Sequence, residues 1–118
     1  MRKYAILKEP FSLGKYEDCV KVMIHETEFG VYVYLYTTTD EYQGNIFDEW
    51  YENLEIAEKY TEEYGVIETD WIELPDSLPD VFPNIIAPVR WKHDENGEPN
   101  KNEYEALVDG VWVDFTFD

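Results

Sequence analysis

Apolar and polar residues alternate with a period of two through two neighbouring stretches. Val20, Val22 and Ile24 interleave with Lys21, Met23 and His25, and then Val31, Val33 and Leu35 interleave with Tyr32, Tyr34 and Tyr36. That period sends one set to each face of a strand. Gly30 lies between the runs and suits a tight connection, so the pattern predicts a β-hairpin from half-buried strands over residues 18–28 and 31–39. Residues 3–8 predict a shorter strand, which Pro10, Ser12 and Gly14 should end.

Beyond a polar loop containing Gly44 the period changes. Ile56, Ala57, Tyr60 and Tyr64 share a helical stripe and Glu55, Glu58 and Glu62 lie off it, which predicts a helix over residues 54–64, or from as early as Phe47. Asn53 can cap the shorter version and Asp48 the longer, and Gly65 supplies the stop. Residues 66–72 read as a short strand. Pro75, Pro79, Pro83 and Pro88 then impose an irregular crossing, because each removes a backbone donor and restricts its predecessor. Leu78, Val81, Phe82, Ile85 and Ile86 give that crossing something to bury, so it reads as a connection within a domain. Residues 89–92 predict a strand and 93–102 its polar loop. Asp109-Gly110 between two alternating runs, 103–108 and 111–117, marks a type I′ hairpin, with Val111, Val113, Phe115 and Phe117 on one face. Strands, a helix, then strands predict an α+β fold: an antiparallel sheet of five or six strands with one main helix packed on a face, in a single domain, 1–118.

Charge changes the picture in the middle of this pattern. Residues 40–80 hold fourteen acids and one base, Lys59, which is −13 of the net −18, while the first 39 residues balance five acids against five bases. Trp50, Tyr51, Leu54 and Trp71 in the same stretch are too apolar for a disordered acidic tail. The segment should fold and present its carboxylates on a surface that repels nucleic acid and anionic membrane and attracts cations or basic proteins. Ten Tyr, six Phe and four Trp supply core, at roughly 1.5–3 kcal/mol per buried aromatic, against the self-repulsion, and stability should rise with salt. Cys19 is the single cysteine, so no internal disulfide or cysteine metal cluster can form, in keeping with a reducing cytosol. No signal peptide is expected, since the first apolar run stops at Lys8-Glu9-Pro10.

The candidates for chemistry are sparse. Asp94, Asn96, Glu98, Asn100, Asn102 and Glu105 occupy positions one, three, five, seven, nine and twelve of a calcium-loop frame, but the sixth is Pro99 where a glycine must turn, and strands flank it. A polar hairpin loop is the better reading. His25 lies on a strand and His93 at a loop edge, without a partner that sequence can place. Cys19 precedes an apolar strand in an acidic chain and reads as inert packing. Ser12 and Ser77 lie in no nucleophile elbow, and no phosphate loop or dinucleotide fingerprint appears. No catalytic residue, cofactor or metal site is assigned.

Tyr32, Tyr34 and Tyr36 share the face opposite Val31, Val33 and Leu35. They form either a second buried, cross-strand packed face or a contact surface, which with Trp50 could also stack on a sugar. Glu62-Glu63-Tyr64-Gly65-Val66, Trp71-Ile72-Glu73-Leu74-Pro75-Asp76, Ala87-Pro88-Val89-Arg90 and Asp109-Gly110-Val111-Trp112 resemble segments of short acidic bacterial proteins that have no assigned activity. In size and acidity the chain is also similar to immunity proteins that neutralise bacterial toxins. Those share no common motif, so the resemblance implies no site residue.

The sequence thus leads to a non-catalytic cytoplasmic interaction protein with a basic protein partner and no direct contact with nucleic acid or membrane. Glu55, Glu58 and Glu62 would steer that partner, and Tyr32, Tyr34, Tyr36 or Trp50 would anchor it. The alternative is a small-ligand or carbohydrate-binding module using the aromatic residues, and a third reading is an enzyme of unknown type. A homodimer through the tyrosine face remains open.

Overall fold

The computed structural model describes residues 1–117. The fold is α+β, with a five-stranded and a three-stranded antiparallel sheet and, among the described residues, one α-helix. The chain divides into two compact units. The first is Met1–Asp40 with Gly44–Asp76, and the second is Glu41–Gln43 with the residues from Ser77 on.

In the first unit β1 (Arg2–Phe11), β2 (Cys19–Thr27), β3 (Gly30–Tyr36) and β4 (Phe47–Tyr51) form an antiparallel meander. Helix α1 (Leu54–Glu62) then carries the chain back across the sheet to β5 (Ile72–Leu74), which pairs with the open side of β1. The order is β4-β3-β2-β1-β5, leaving β4 and β5 at the edges. The β2–β3 hairpin forms as the alternation predicts, with Met23 opposite Tyr34 and Thr27 opposite Gly30. Its turn is tied by Thr27, whose Oγ1 accepts from Phe29 N at 3.1 Å and donates to Gly30 O at 2.9 Å.

One face of this sheet carries an aliphatic core of Val22, Ile24, Val31, Val33 and Leu35, which packs with Ala57 of α1 and with Val66. Asn53 caps the helix by accepting from Ile56 N at 2.9 Å, and Gly65, at φ 83°, follows its last turn. The inward stripe is rotated from the expected one. Ala57 and Thr61 are buried and Leu54 and Tyr64 pack beside the core, while Tyr60 turns out and stacks on Tyr51 at 5.0 Å. Small side chains at 57 and 61 let the helix approach the sheet closely, a position that Tyr60 is too large to take.

Four further expectations about this unit are corrected. Phe47–Tyr51 is strand β4, not an extension of the helix, because its backbone pairs with β3. Pro10 does not end β1: the register slips between Ile6 and Phe11, and the strand resumes with Phe11 opposite Cys19, since an irregular stretch tolerates a missing donor. Residues 66–72 are not one strand, for a single 3-10 turn at Glu68–Asp70, closed by Asp70 Oδ2 accepting from Ile67 N at 2.9 Å, precedes the short β5. Finally β2 is buried on both faces, as suits a strand enclosed between β1 and β3.

The second face accordingly holds buried Met23, Tyr34, Tyr36, Lys21 and Arg2. The Lys21 ammonium lies 4.4 Å from the Tyr36 ring centroid and donates to Asp40 O at 3.3 Å, while Arg2 Nη2 donates to Pro75 O at 3.0 Å. Each of these two buried cations thus has a backbone carbonyl as acceptor.

The second unit contains β6 (Val89–His93), β7 (Pro99–Val108) and β8 (Val111–Phe115) in that order across the sheet. Asp109 and Gly110 both have positive φ, 51° and 80°, as a type I′ turn requires. Ile85, Val89 and Ala106 form a small core with Phe82, Tyr104, Phe115 and Tyr42 packed against it. The proline-rich segment is irregular, as expected, and is pinned by Phe82 N donating to Val89 O at 2.9 Å. The expected loop over 93–102 is shorter: Asp94 Oδ1 accepts from Asn96 N and Glu98 N, and β7 begins at Pro99. Asn100, Asn102 and Glu105 therefore lie on a strand, so the calcium-loop frame is not gathered into one loop. Among the described residues no helix is long and apolar enough to cross a membrane.

Candidate interaction surfaces

The seven residues singled out from sequence fall on opposite faces of the five-stranded sheet. Tyr32, Tyr34 and Tyr36 share the face away from α1, and Trp50 joins them as the cross-strand neighbour of Tyr32. Glu55, Glu58 and Glu62 belong to the helix on the other face. One flat surface cannot present both sets. Nor do the tyrosines form an open ladder, because Tyr36 is fully buried with its hydroxyl 3.7 Å from Met23 Sδ, and Tyr34 is buried beside it. Burial, then the neighbouring Tyr32 and Asp48, push the Tyr34 phenol up to about 12. Tyr32 stays half-buried, with its ring parallel to that of Tyr34 at 6.2 Å. His25 on the same face has Nδ1 3.3 Å from the Tyr34 hydroxyl; burial first, then the N-terminal ammonium and Arg2, lower its pKa and hold it neutral.

The helix face carries a cleft of about 560 Å³ between α1, β1 and β5. Glu58 and Glu62 from the helix, Glu68 from the 3-10 turn and Glu73 from β5 converge there, with Trp71 as an aromatic wall and Lys3 as the base within it. Lys3 Nζ is 3.0 Å from Glu58 Oε1 and 4.9 Å from the Trp71 centroid. Its one positive charge faces four carboxylates. Glu55 is exposed outside this cleft. Sequence reasoning missed Lys3, Glu68, Trp71 and Glu73. For Lys3 a signal existed, since it alternates in phase with the core residues Ala5 and Leu7.

At the β4 edge Trp50 is 52% exposed yet tightly held. Its indole N–H donates to Phe29 O at 3.2 Å, and its ring fills the space that a side chain at Gly30 would need, with a Cβ there falling 2.3 Å from Nε1. Gly30 has φ 126°. The positive φ and this close approach each demand glycine here.

In the second unit Arg90 Nε donates to the buried Glu105 at 2.7 Å and the guanidinium lies 3.7 Å from the Trp112 centroid. His93 holds Nδ1 2.9 Å from Trp91 O and 3.7 Å from Glu105, with Nε2 3.9 Å from Asp80, a residue in the left-handed region at φ 67°. These contacts fasten the irregular segment to β6. A further cleft of about 450 Å³ combines Tyr104, Phe115 and Phe117 with Lys92, Asn102 and Asp114. Comparison with protein-family models, with curated proteins and with solved structures finds no match.

Proposed function

We propose that the protein is a small, non-catalytic protein-binding module for a basic partner, an inhibitor or immunity-like protein of the bacterial cytoplasm. One observation carries the reading: Glu58, Glu62, Glu68 and Glu73 converge on a cleft that contains a single lysine and an aromatic wall. A cleft with four carboxylates to one lysine keeps an excess of negative charge that raises the encounter rate with cations, and Trp71, already faced by Lys3, offers a ring that favours a guanidinium or ammonium. The bacterial setting rests on the segmental resemblance, and the cytoplasmic one on the lone thiol of Cys19. The test is retention of a partner from native-host lysate by the immobilised chain, compared with a triple variant Glu62→Lys, Glu68→Lys and Glu73→Lys. A basic protein should be retained by the first, released by salt as screening shortens from about 8 Å to about 3 Å, and lost from the variant. Equal retention by both rejects the cleft.

A second reading is favoured by the Tyr104–Phe115–Phe117 cleft, where aromatic rings sit beside a carboxylate, an amide and an ammonium. That combination suits a sugar, with rings for its C–H faces and polar groups for its hydroxyls. A glycan screen in which Tyr104→Ala abolishes a positive response supports it.

A further inference from the structure

We infer that the outer edge of β4 receives an extended, basic segment of the partner as an added strand, with Trp50 as its anchor. This rests on the basic-partner reading and names its binding mode. β4 closes one side of the five-stranded sheet: its inner side pairs with β3, and no described strand pairs with the other. An unpaired edge is a template of N–H and C=O groups, which folded proteins guard with lysine, proline or a bulge. The sequence of β4, Phe-Asp-Glu-Trp-Tyr, has none of these. Its guard is negative charge: Asp48 and Glu52 are exposed, while Glu49 lies on the helix side and accepts from the Tyr64 hydroxyl at 2.9 Å. Carboxylates repel a second copy of the same edge and attract a segment bearing lysine or arginine.

Trp50 supplies the anchor. It is exposed, but its indole is already fixed by Phe29 O and by the space left at Gly30, so little side-chain freedom remains to be lost on binding. Phe29, 77% exposed, lies beside it. Large aromatic side chains held in this way dominate binding energy at interfaces. An edge is also the place from which one extended segment meets both faces of a sheet, since its side chains alternate. Along β4 one set would meet Trp50, and the other the Tyr51–Tyr60 stack with its nearby carboxylates. The Tyr51 phenol is pushed up to about 12 by burial first, then by Glu49, Tyr60 and Glu63. One extended segment would thereby meet Trp50 on one face of the sheet and the Tyr51–Tyr60 stack on the other.

The test uses the full chain and displayed random peptides of about a dozen residues, with selected peptides resynthesised with alternate backbone amides N-methylated. Selected sequences should alternate Lys or Arg with bulky apolar residues and shift the amide resonances of residues 47–51. Binding should weaken by roughly tenfold or more on Trp50→Ala and on N-methylation. The N-methyl arm leaves the protein untouched, so it decides the matter even if Trp50→Ala fails to fold. Basic peptides that map to the Glu62–Glu73 cleft, or bind equally well when methylated, overturn strand addition and leave the basic-partner reading standing. Selection of peptides that are not basic overturns both. Pairing of two copies through β4, seen as a dimer with the same shifts, overturns the proposed occupant.

Discussion

The five-stranded unit buries Val22, Ile24, Val33 and Ala57 completely, whereas the three-stranded unit buries Val89 and Ala106 to that degree and leaves Val111 and Val113 exposed. The larger unit closes an aliphatic layer between sheet and helix. Among its described residues the smaller one has no helix to lay over its sheet, and it relies on ring stacking and one largely buried ion pair. Trp91 stacks on Tyr104 at 4.7 Å, Phe117 meets Tyr104 edge-on at 4.7 Å, and Arg90 pairs with Glu105. Aromatic pairs contribute roughly 0.5–1.5 kcal/mol each beyond their burial. A short sheet can therefore hold its shape through rings that stay partly in solvent, and those rings remain available to a ligand.

The largest expected effect separates the units by pH. A tyrosine whose folded pKa lies above its ordinary value of 10 supports the folded state fully below pH 10 and loses that support as pH rises to the folded value, about 12 for Tyr34 and Tyr51. Tyr36 and Tyr64 are raised further, Tyr36 chiefly by burial and Tyr64 by burial and then Glu49. Alkaline titration should unfold β1–β3, read as loss of hydrogen-exchange protection strand by strand. Equal, simultaneous loss in β6–β8 would show that the two units unfold as one. On the acid side His25, lowered by burial first, contributes stability above pH 6.5 that declines as pH falls below it.

Core truncation comes next. Ile24→Ala should cost about 2–5 kcal/mol in denaturant unfolding, against less than about 1 kcal/mol for Val113→Ala, whose side chain is 43% exposed. Similar losses would erase the distinction between a packed and an open sheet. Glu105→Ala should cost about 2–3 kcal/mol, because it leaves the half-buried Arg90 without its carboxylate, and Glu105→Gln should restore part of that. The smallest contrast is between two glycines. Gly30→Ala should cost about 2 kcal/mol and raise the mobility of Trp50 fluorescence, since a methyl there collides with the indole. Gly110→Ala meets open space and should cost about 1 kcal/mol from its positive φ alone.

The hairpins were legible because their signals are local. Alternation in 20–25 and 31–36 and the Asp109-Gly110 pair each report a backbone geometry that neighbouring residues decide, and Asn53 marks the helix start for the same reason. β4 was not legible, since Phe47, Trp50, Tyr51 and Leu54 have the spacing of a helical face, and only pairing with β3 makes the segment a strand. The acidic cleft was hidden by distance along the chain: Lys3 meets Glu73 through β1–β5 register, and Glu58 through the return of α1 over β1. For the aromatic set the alternation correctly separated tyrosines from valines. What it could not express was that Tyr34 and Tyr36 are covered while Trp50, at the rim, is not.

Cys19 gives this architecture a built-in clock. The thiol is sealed where β2 begins beside β1, donates to Lys21 O at 3.4 Å, and has its pKa raised by burial, so the closed protein offers an alkylating reagent no thiolate to attack. With no second sulfhydryl in the chain, every labelled molecule records one opening of the β1–β2 joint. When alkylation outpaces reclosing, the rate of label uptake measures how often the larger sheet opens, and a partner that adds a strand at the far edge would slow it.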